Sequence, residues 1–293
     1  MRHLGPLTAP LLLTSLLFAA PATGQLPVLR TVDSPTDSHG FGEAAAVIGD
    51  FDGDGTLDYA VSEVNGLPLP KVDAVHVISG ATGAILATFV EEAAGDDFGE
   101  ALAGVGDLDG DGSPDLLIGA SEHDTGGLHS AGRATVVSGA TGAVLLAFGG
   151  TDTNHDLGQS VAAIGDVDGD GKTDFAIASP GEDLLGHKSG VARLHRGSDG
   201  AVLQTYGNGL TTADLADSYA DQVAAAGDLD GDGVPDVLVS AHGRLNSPHG
   251  RPGAIEARSG ADGSLLFELR DDLTPHHAQQ FGRSLTEIGR AHV

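Results

Sequence analysis

The sequence predicts an all-β fold, a β-propeller of four-stranded antiparallel blades, on three observations. One acidic stretch returns four times, beginning at Asp50, Asp107, Asp166 and Asp228, at spacings of 57, 59 and 62 residues. Self-similarity at such a period marks a propeller or solenoid. Each copy sits in the same succession of five- to seven-residue apolar runs bounded by Gly, Asp and Ser, the punctuation of strands. The first run of every copy is rich in Ala and Gly, as an innermost strand must be where successive blades converge.

Each unit opens with the small-residue run "FGEAAAVIG" (from Phe41), "FGEALAGVG" (Phe98), "LGQSVAAIG" (Leu157) or "YADQVAAAG" (Tyr219). A run of that length ending in Gly-Asp makes a poor helix and a good strand. The acidic loop follows, then a second strand: "LDYAVS", "PDLLIG", "TDFAIA" or "PDVLVS". A polar loop of variable length leads to the alternating third strand, "DAVHVIS", "GRATVVS", "GVARLHR" or "GAIEARS". The turn "GATG", "GATG", "GSDG" or "GADG" then introduces the fourth strand, "AILATF", "AVLLAF", "AVLQTY" or "SLLFEL". Its glycines suit a hairpin with left-handed positions. The blades so defined cover residues 41–90, 98–149, 157–207 and 219–270.

Two further segments extend the pattern. "LPVLRTV" (26–32) reads as a fourth strand, and "FGRSLTEIG" (from Phe281) as the first strand of a partial fifth unit. Arg290 stands where the spacing predicts the next loop Asp. The expectation is a partial sequence of a larger ring, with a small distorted ring or an open arc as the alternative, since propellers run from about four to eight blades.

The acidic loop reads D-x-D-G-D-G-x-x-D. Its carboxylates are Asp50, Asp52, Asp54 and Asp58; Asp107, Asp109, Asp111 and Asp115; Asp166, Asp168, Asp170 and Asp174; and Asp228, Asp230, Asp232 and Asp236. Alternate residues of a tight loop can point at one centre, and calcium takes about six to eight hard oxygen ligands. Position 7 is Thr56, Ser113, Lys172 or Val234, so a backbone carbonyl is the expected donor there. The apolar residue at position 2 (Phe51, Leu108, Val167 or Leu229) is expected to turn into the blade. Position 12 falls in an apolar strand, which excludes an EF-hand, and the absence of Cys and of loop His disfavours soft metals. The expected cofactor is Ca²⁺, about four ions, one per complete blade; solvated acidic turns are the alternative.

With these features the repeat resembles the FG-GAP repeat of integrin α-subunit propellers and of secreted integrin-like proteins. The FG stands at Phe41-Gly42, Phe98-Gly99 and Phe281-Gly282, and is degenerate at Leu157-Gly158 and Tyr219-Ala220. The resemblance implies a propeller with calcium in the loops between strands 1 and 2, extracellular adhesion or ligand binding, and no catalysis by the repeat itself. The short loops leave no room for an inserted adhesion domain, so integrin-type ligand recognition is not carried over.

Composition agrees with an extracellular module. With 42 Asp+Glu against 14 Lys+Arg, the formal charge of −28 repels nucleic acid and anionic membranes. The chain has no Trp and 4% aromatic residues, which argues against base-stacking platforms. Residues 1–24 read as a signal peptide, with "LLLTSLLFAA" (11–20) too short to span a bilayer. Localisation is therefore expected to be secreted, cell-surface or periplasmic, with the propeller over 25–293. Without Cys the chain has no disulfide staple.

Enzyme signatures such as G-x-S-x-G, H-E-x-x-H and a phosphate loop are missing, so the chain reads as non-catalytic. "SEHD" (121–124) reads as a polar loop, and "RGSDG" (from Arg196) as the turn before a fourth strand. Nine of thirteen histidines fall in loops predicted opposite the acidic face: His39, His123, His129, His155, His187, His242, His249, His276 and His277. They suggest either a metal- or pH-responsive surface or polar loops that tolerate His. The leading reading is a calcium-stabilised binding or adhesion module with an extracellular protein or glycan ligand, monomeric if the ring closes. The alternatives are the propeller portion of a larger phospholipase-like enzyme and an extracellular metal buffer.

Overall fold

Short strands that are apolar at successive positions need two partners, one on each face, and stacked sheets supply both. The computed structural model describes residues 40–64, 73–90, 95–182, 190–207, 219–241 and 253–270, together with Val32, Gly282, Ser284 and Leu285. All of these except Val32 belong to one compact unit, Ser34–Val293. The proposed leader (1–24), the strand at 26–32 apart from Val32, and most of the fifth unit lie outside the described residues, as does Arg290.

The described chain forms four sheets of four antiparallel strands, each in chain order. The first blade is β1 (Phe41–Gly49), β2 (Asp58–Glu63), β3 (Ala74–Ile78) and β4 (Ile85–Val90). The second is β5 (Ala101–Gly106), β6 (Asp115–Ala120), β7 (Arg133–Val137) and β8 (Val144–Gly149). The third is β9 (Val161–Gly165), β10 (Asp174–Ser179), β11 (Val191–His195) and β12 (Val202–Tyr206). The fourth is β13 (Tyr219–Gly227), β14 (Asp236–Ala241), β15 (Ala254–Arg258) and β16 (Leu265–Arg270). This is the propeller-blade meander that the repeat predicts. The innermost strands pack in series, β1 against β5, β5 against β9 and β9 against β13. They come close: a Cβ on Gly104 would lie 2.7 Å from the Ile48 Cα, so the Ala/Gly character of these strands is steric.

Hydrophobic burial is concentrated between blades. Ile48, Val75 and Val77 of the first blade meet Phe98, Leu116 and Ile118 of the second. Val105, Leu117 and Val136 of the second meet Leu157, Phe175 and Ile177 of the third. Ile164, Leu194 and Tyr206 of the third meet Tyr219, Val223 and Val239 of the fourth. Neighbours along β6 thus serve two different cores, because side chains alternate across a strand. That is why the second runs of blades 2 and 3 read as continuously apolar.

One detail departs from the sequence reading. In blades 2 and 3 the strand begins three or four residues after the FG position. Gly99 and Gly158 instead hold left-handed backbone, φ +94° and +96°, and donate N–H bonds to Gly119 and Ala178 of their own blades, both at 2.9 Å. The residue before each, Phe98 or Leu157, enters the core shared with the preceding blade. The dipeptide is therefore a wedge between blades. At the fourth copy, where the glycine itself is replaced, Ala220 takes the same backbone region, φ +59°, although it carries a Cβ.

Candidate functional site

The acidic loops fold on themselves through their own backbone. In the first loop Asp50 accepts the main-chain N–H groups of Asp54 (3.0 Å) and Gly55 (2.9 Å). Asp54 also donates its N–H to Asp52 (3.1 Å), and its own carboxylate accepts the N–H of Thr56 (2.7 Å). The other loops repeat the scheme around Asp107, Asp166 and Asp228. Carboxylate-to-amide bonds of this kind shape a loop without any strand or helix to support it.

The last Asp of each loop is different, being buried and placed at the start of strand 2. Asp58 accepts the N–H of Phe51 at 2.7 Å and that of Gly80 at 2.8 Å. Asp115 does so from Leu108 and Gly139, Asp174 from Val167 and Gly197, and Asp236 from Leu229 and Gly260. Each of these carboxylates thus ties its acidic loop to the turn between strands 3 and 4 of the same blade. The first glycine of that turn is required by close approach: a Cβ on Gly80 would stand 2.0 Å from the Leu57 carbonyl oxygen. Loop spacing alone presents this Asp as one ligand among four and does not reveal the tie; its partner lies 22 residues away in the first blade.

The structure brings positions 1, 3 and 9 together. Ligand atoms of Asp50, Asp52 and Asp58 lie within 4.8 Å of one another, as do those of Asp107, Asp109 and Asp115, of Asp166, Asp168 and Asp174, and of Asp228, Asp230 and Asp236. Asp54, Asp111, Asp170 and Asp232 at position 5 stand outside these groups and accept the N–H of Thr56, Ser113, Lys172 and Val234. The donors are all hard carboxylate oxygens, held at one rim of each blade, and that set fits a calcium-sized dication. Burial raises the carboxyls of Asp115, Asp174 and Asp236, and the nearby charges of Asp109, Asp168 and Asp230 push in the same direction. A cation between them would relieve that repulsion.

Position 2 behaves as expected in three copies. Phe51, Leu108 and Val167 pack against the core shared with the following blade. Leu229 in the fourth blade is 45% exposed, and so are parts of β16, with Phe267 at 42% and Leu269 at 49%. The equivalents of Leu269, Phe148 and Tyr206, are covered by the next blade in line.

The other motifs resolve into local structure. Arg196 donates its N–H to the Ala201 carbonyl and accepts the N–H of Gly200, both at 2.8 Å, so "RGSDG" is a closed turn. In "SEHD" the side chains diverge: Ser121 donates to Glu100, Glu122 accepts from the Ser130 hydroxyl at 3.1 Å, and Asp124 accepts from the Ser130 N–H at 3.0 Å. Of the nine loop histidines, His123, His129 and His155 are described. His123 bonds Thr125, His129 bonds Asp124, and His155 is buried; none joins a metal-type cluster among the described residues. The remaining six lie outside the described residues. Among the described residues no helix is long and apolar enough to cross a membrane.

The family model of the FG-GAP repeat matches residues 98–137, 157–203 and 219–254. Integrin alpha-V of Gallus gallus is 30% identical over 228 residues, covering 73% of this chain and 21% of that protein. Integrin alpha-IIb of Homo sapiens is 30% identical over 264 residues, covering 83% of this chain and 23% of that protein. The chain therefore spans about a fifth of the length of such relatives. Among solved structures, the Dos1 propeller is similar with a TM-score of 0.47 and 14% identity, over 79% of this chain and 48% of that one.

Proposed function

Because the chain carries FG-GAP repeats of the kind found in integrin alpha chains, we propose that it is a secreted, calcium-binding propeller that acts as a non-catalytic adhesion or ligand-binding module. The observation that carries this reading is the fourfold recurrence of one donor arrangement, three carboxylates within 4.8 Å at the same rim of every described blade. Asp50, Asp52 and Asp58 would hold the ion in the first blade, with Asp54 and the carbonyl of Thr56 completing the set, and the corresponding residues would do so in the others. The bound ion supplies charge neutralisation and no reaction chemistry. The protein's own part is mechanical: the position-9 carboxylate fixes the loop to the turn between strands 3 and 4, so the rim of each blade is one rigid piece.

A rim of this kind presents short, well-held loops, which is the geometry of a recognition face on a rigid scaffold. The test is a screen of immobilised extracellular proteins and glycans against the chain in calcium and in EDTA. A ligand captured in calcium and released by EDTA supports the reading. Calorimetry without any calcium binding would refute its metal component, and capture unaffected by EDTA would separate the ligand surface from the loops.

A further inference from the structure

The four loops share one donor pattern, but the turns that close against them differ. In blades 1, 2 and 4 the residue before the turn glycine is Ser79, Ser138 or Ser259; in blade 3 it is Arg196. The Arg196 Nε donates to the Asp168 Oδ2 at 2.5 Å, and its Nη1 reaches Asp199 at 3.3 Å. Asp168 is the position-3 member of the third carboxylate group. The neighbouring Ser198 hydroxyl donates to the Asp170 Oδ2 at 2.7 Å, so the side chains at positions 3 and 5 are both engaged by this turn. Position 7 of the same loop is Lys172, where the other copies have Thr56, Ser113 and Val234. Its Nζ donates to the Leu108 carbonyl at 2.5 Å, bridging to the loop of blade 2.

We propose that Arg196 is a resident counter-ion of the third loop, which makes that loop the weakest calcium site and blade 3 the blade least dependent on the ion. This rests on the calcium reading of the other three loops. A guanidinium on one ligand carboxylate supplies part of the neutralisation that a dication supplies elsewhere, and it repels the incoming ion. The Arg–carboxylate bond also holds the loop to its turn when calcium is absent. The third loop is therefore the last to fill and the first to empty as calcium varies.

Calorimetry of the metal-stripped chain with CaCl₂, paired with hydrogen exchange in EDTA, tests this. The wild type should show one group of tighter sites and a single site weaker by about tenfold or more, on simple Coulomb grounds. Arg196→Ser, which installs the residue of the other three blades, should move the weak site into the main group. Arg196→Lys, which keeps the charge, should leave it weak and serves if the Ser variant fails to fold. In EDTA, β9 and β10 of the wild type should stay protected longer than β1 and β2, and Arg196→Ser should remove that difference. Four sites of one affinity in the wild type, or a weak site unchanged by Arg196→Ser, would overturn the Arg196 inference alone. A chain that binds no calcium at all would overturn the underlying calcium reading as well.

Discussion

Asp58 accepts the main-chain N–H of Gly80 at 2.8 Å, and by that bond the end of the acidic loop is fastened to the β3–β4 turn. Its other oxygen takes the N–H of Phe51 at 2.7 Å, so both oxygens act as main-chain acceptors with the side chain fully buried. Asp58→Asn turns one acceptor into a donor facing an N–H and should cost about 2 kcal/mol even without calcium. Asp54→Asn keeps its exposed acceptor for Thr56 and should leave metal-free stability within about 0.5 kcal/mol while weakening calcium binding. Urea unfolding in EDTA compares the two variants directly.

Calcium should stabilise the chain by mass action. Extracellular sites have dissociation constants of about 10⁻⁴–10⁻³ M, so about 10 mM calcium adds about 1.4–2.7 kcal/mol per occupied site. Summed over several loops, EDTA should lower the melting temperature by at least about 5 °C, read by differential scanning calorimetry. Acid near the carboxylate range should have the same effect on the calcium-loaded chain, because calcium ligands bind deprotonated.

Gly158 tests the wedge between blades 2 and 3. A Cβ there would stand 2.3 Å from the Arg133 carbonyl oxygen, on backbone with φ +96°. Gly158→Ala should therefore destabilise by about 3 kcal/mol or more, combining left-handed strain with overpacking against main chain. Ala220→Gly, at the copy that already tolerates a Cβ, should be nearly neutral: relief of strain at φ +59° is offset by loss of a buried methyl. Thermal unfolding of both variants decides the matter.

Glu100 gives a pH signature unrelated to the metal loops. Burial pushes its carboxyl up to about 7, and the charges of Asp97, Glu43 and Glu122 add to the effect against the hydroxyl of Ser121, which favours the anion. A carboxyl raised in the folded state contributes stability below its unfolded value of 4.5 and loses it as pH rises through about 7. Glu100→Gln should thus raise stability at pH 8, by up to about 3 kcal/mol, and change little at pH 4. Equal effects at both pH values would remove this assignment.

How far the sequence can be read follows from the range of each interaction. The strands of each blade are legible because their alternation and turns are local. The gathering of positions 1, 3 and 9 is legible because all three lie within one loop of nine residues. The second role of Asp58 is not, since its partner Gly80 is 22 positions away and a glycine at the start of a turn is ordinary turn chemistry. Arg196 is legible as a turn residue, yet its grip on Asp168 spans 28 positions and depends on how two loops stack at one rim. The late start of β5 and β9 is hidden for a related reason. In these two blades the FG position looks like strand sequence, but its glycine turns into left-handed backbone and its first residue, Phe98 or Leu157, packs into the core shared with the blade before it.

The placement of the cores between blades puts the unit of inheritance out of step with the unit of cooperativity. A duplication running from one FG to the next copies two half-interfaces and no complete one. Inserted in the row, such a copy meets a face on either side, but the seams are not interchangeable: Phe98 fills the first, Phe175 the second, and Tyr206 with Tyr219 the third. Blade number can then change by recombination only with repacking of the side chains at the new seams. A blade excised alone, by contrast, would leave both its faces in water and should not fold.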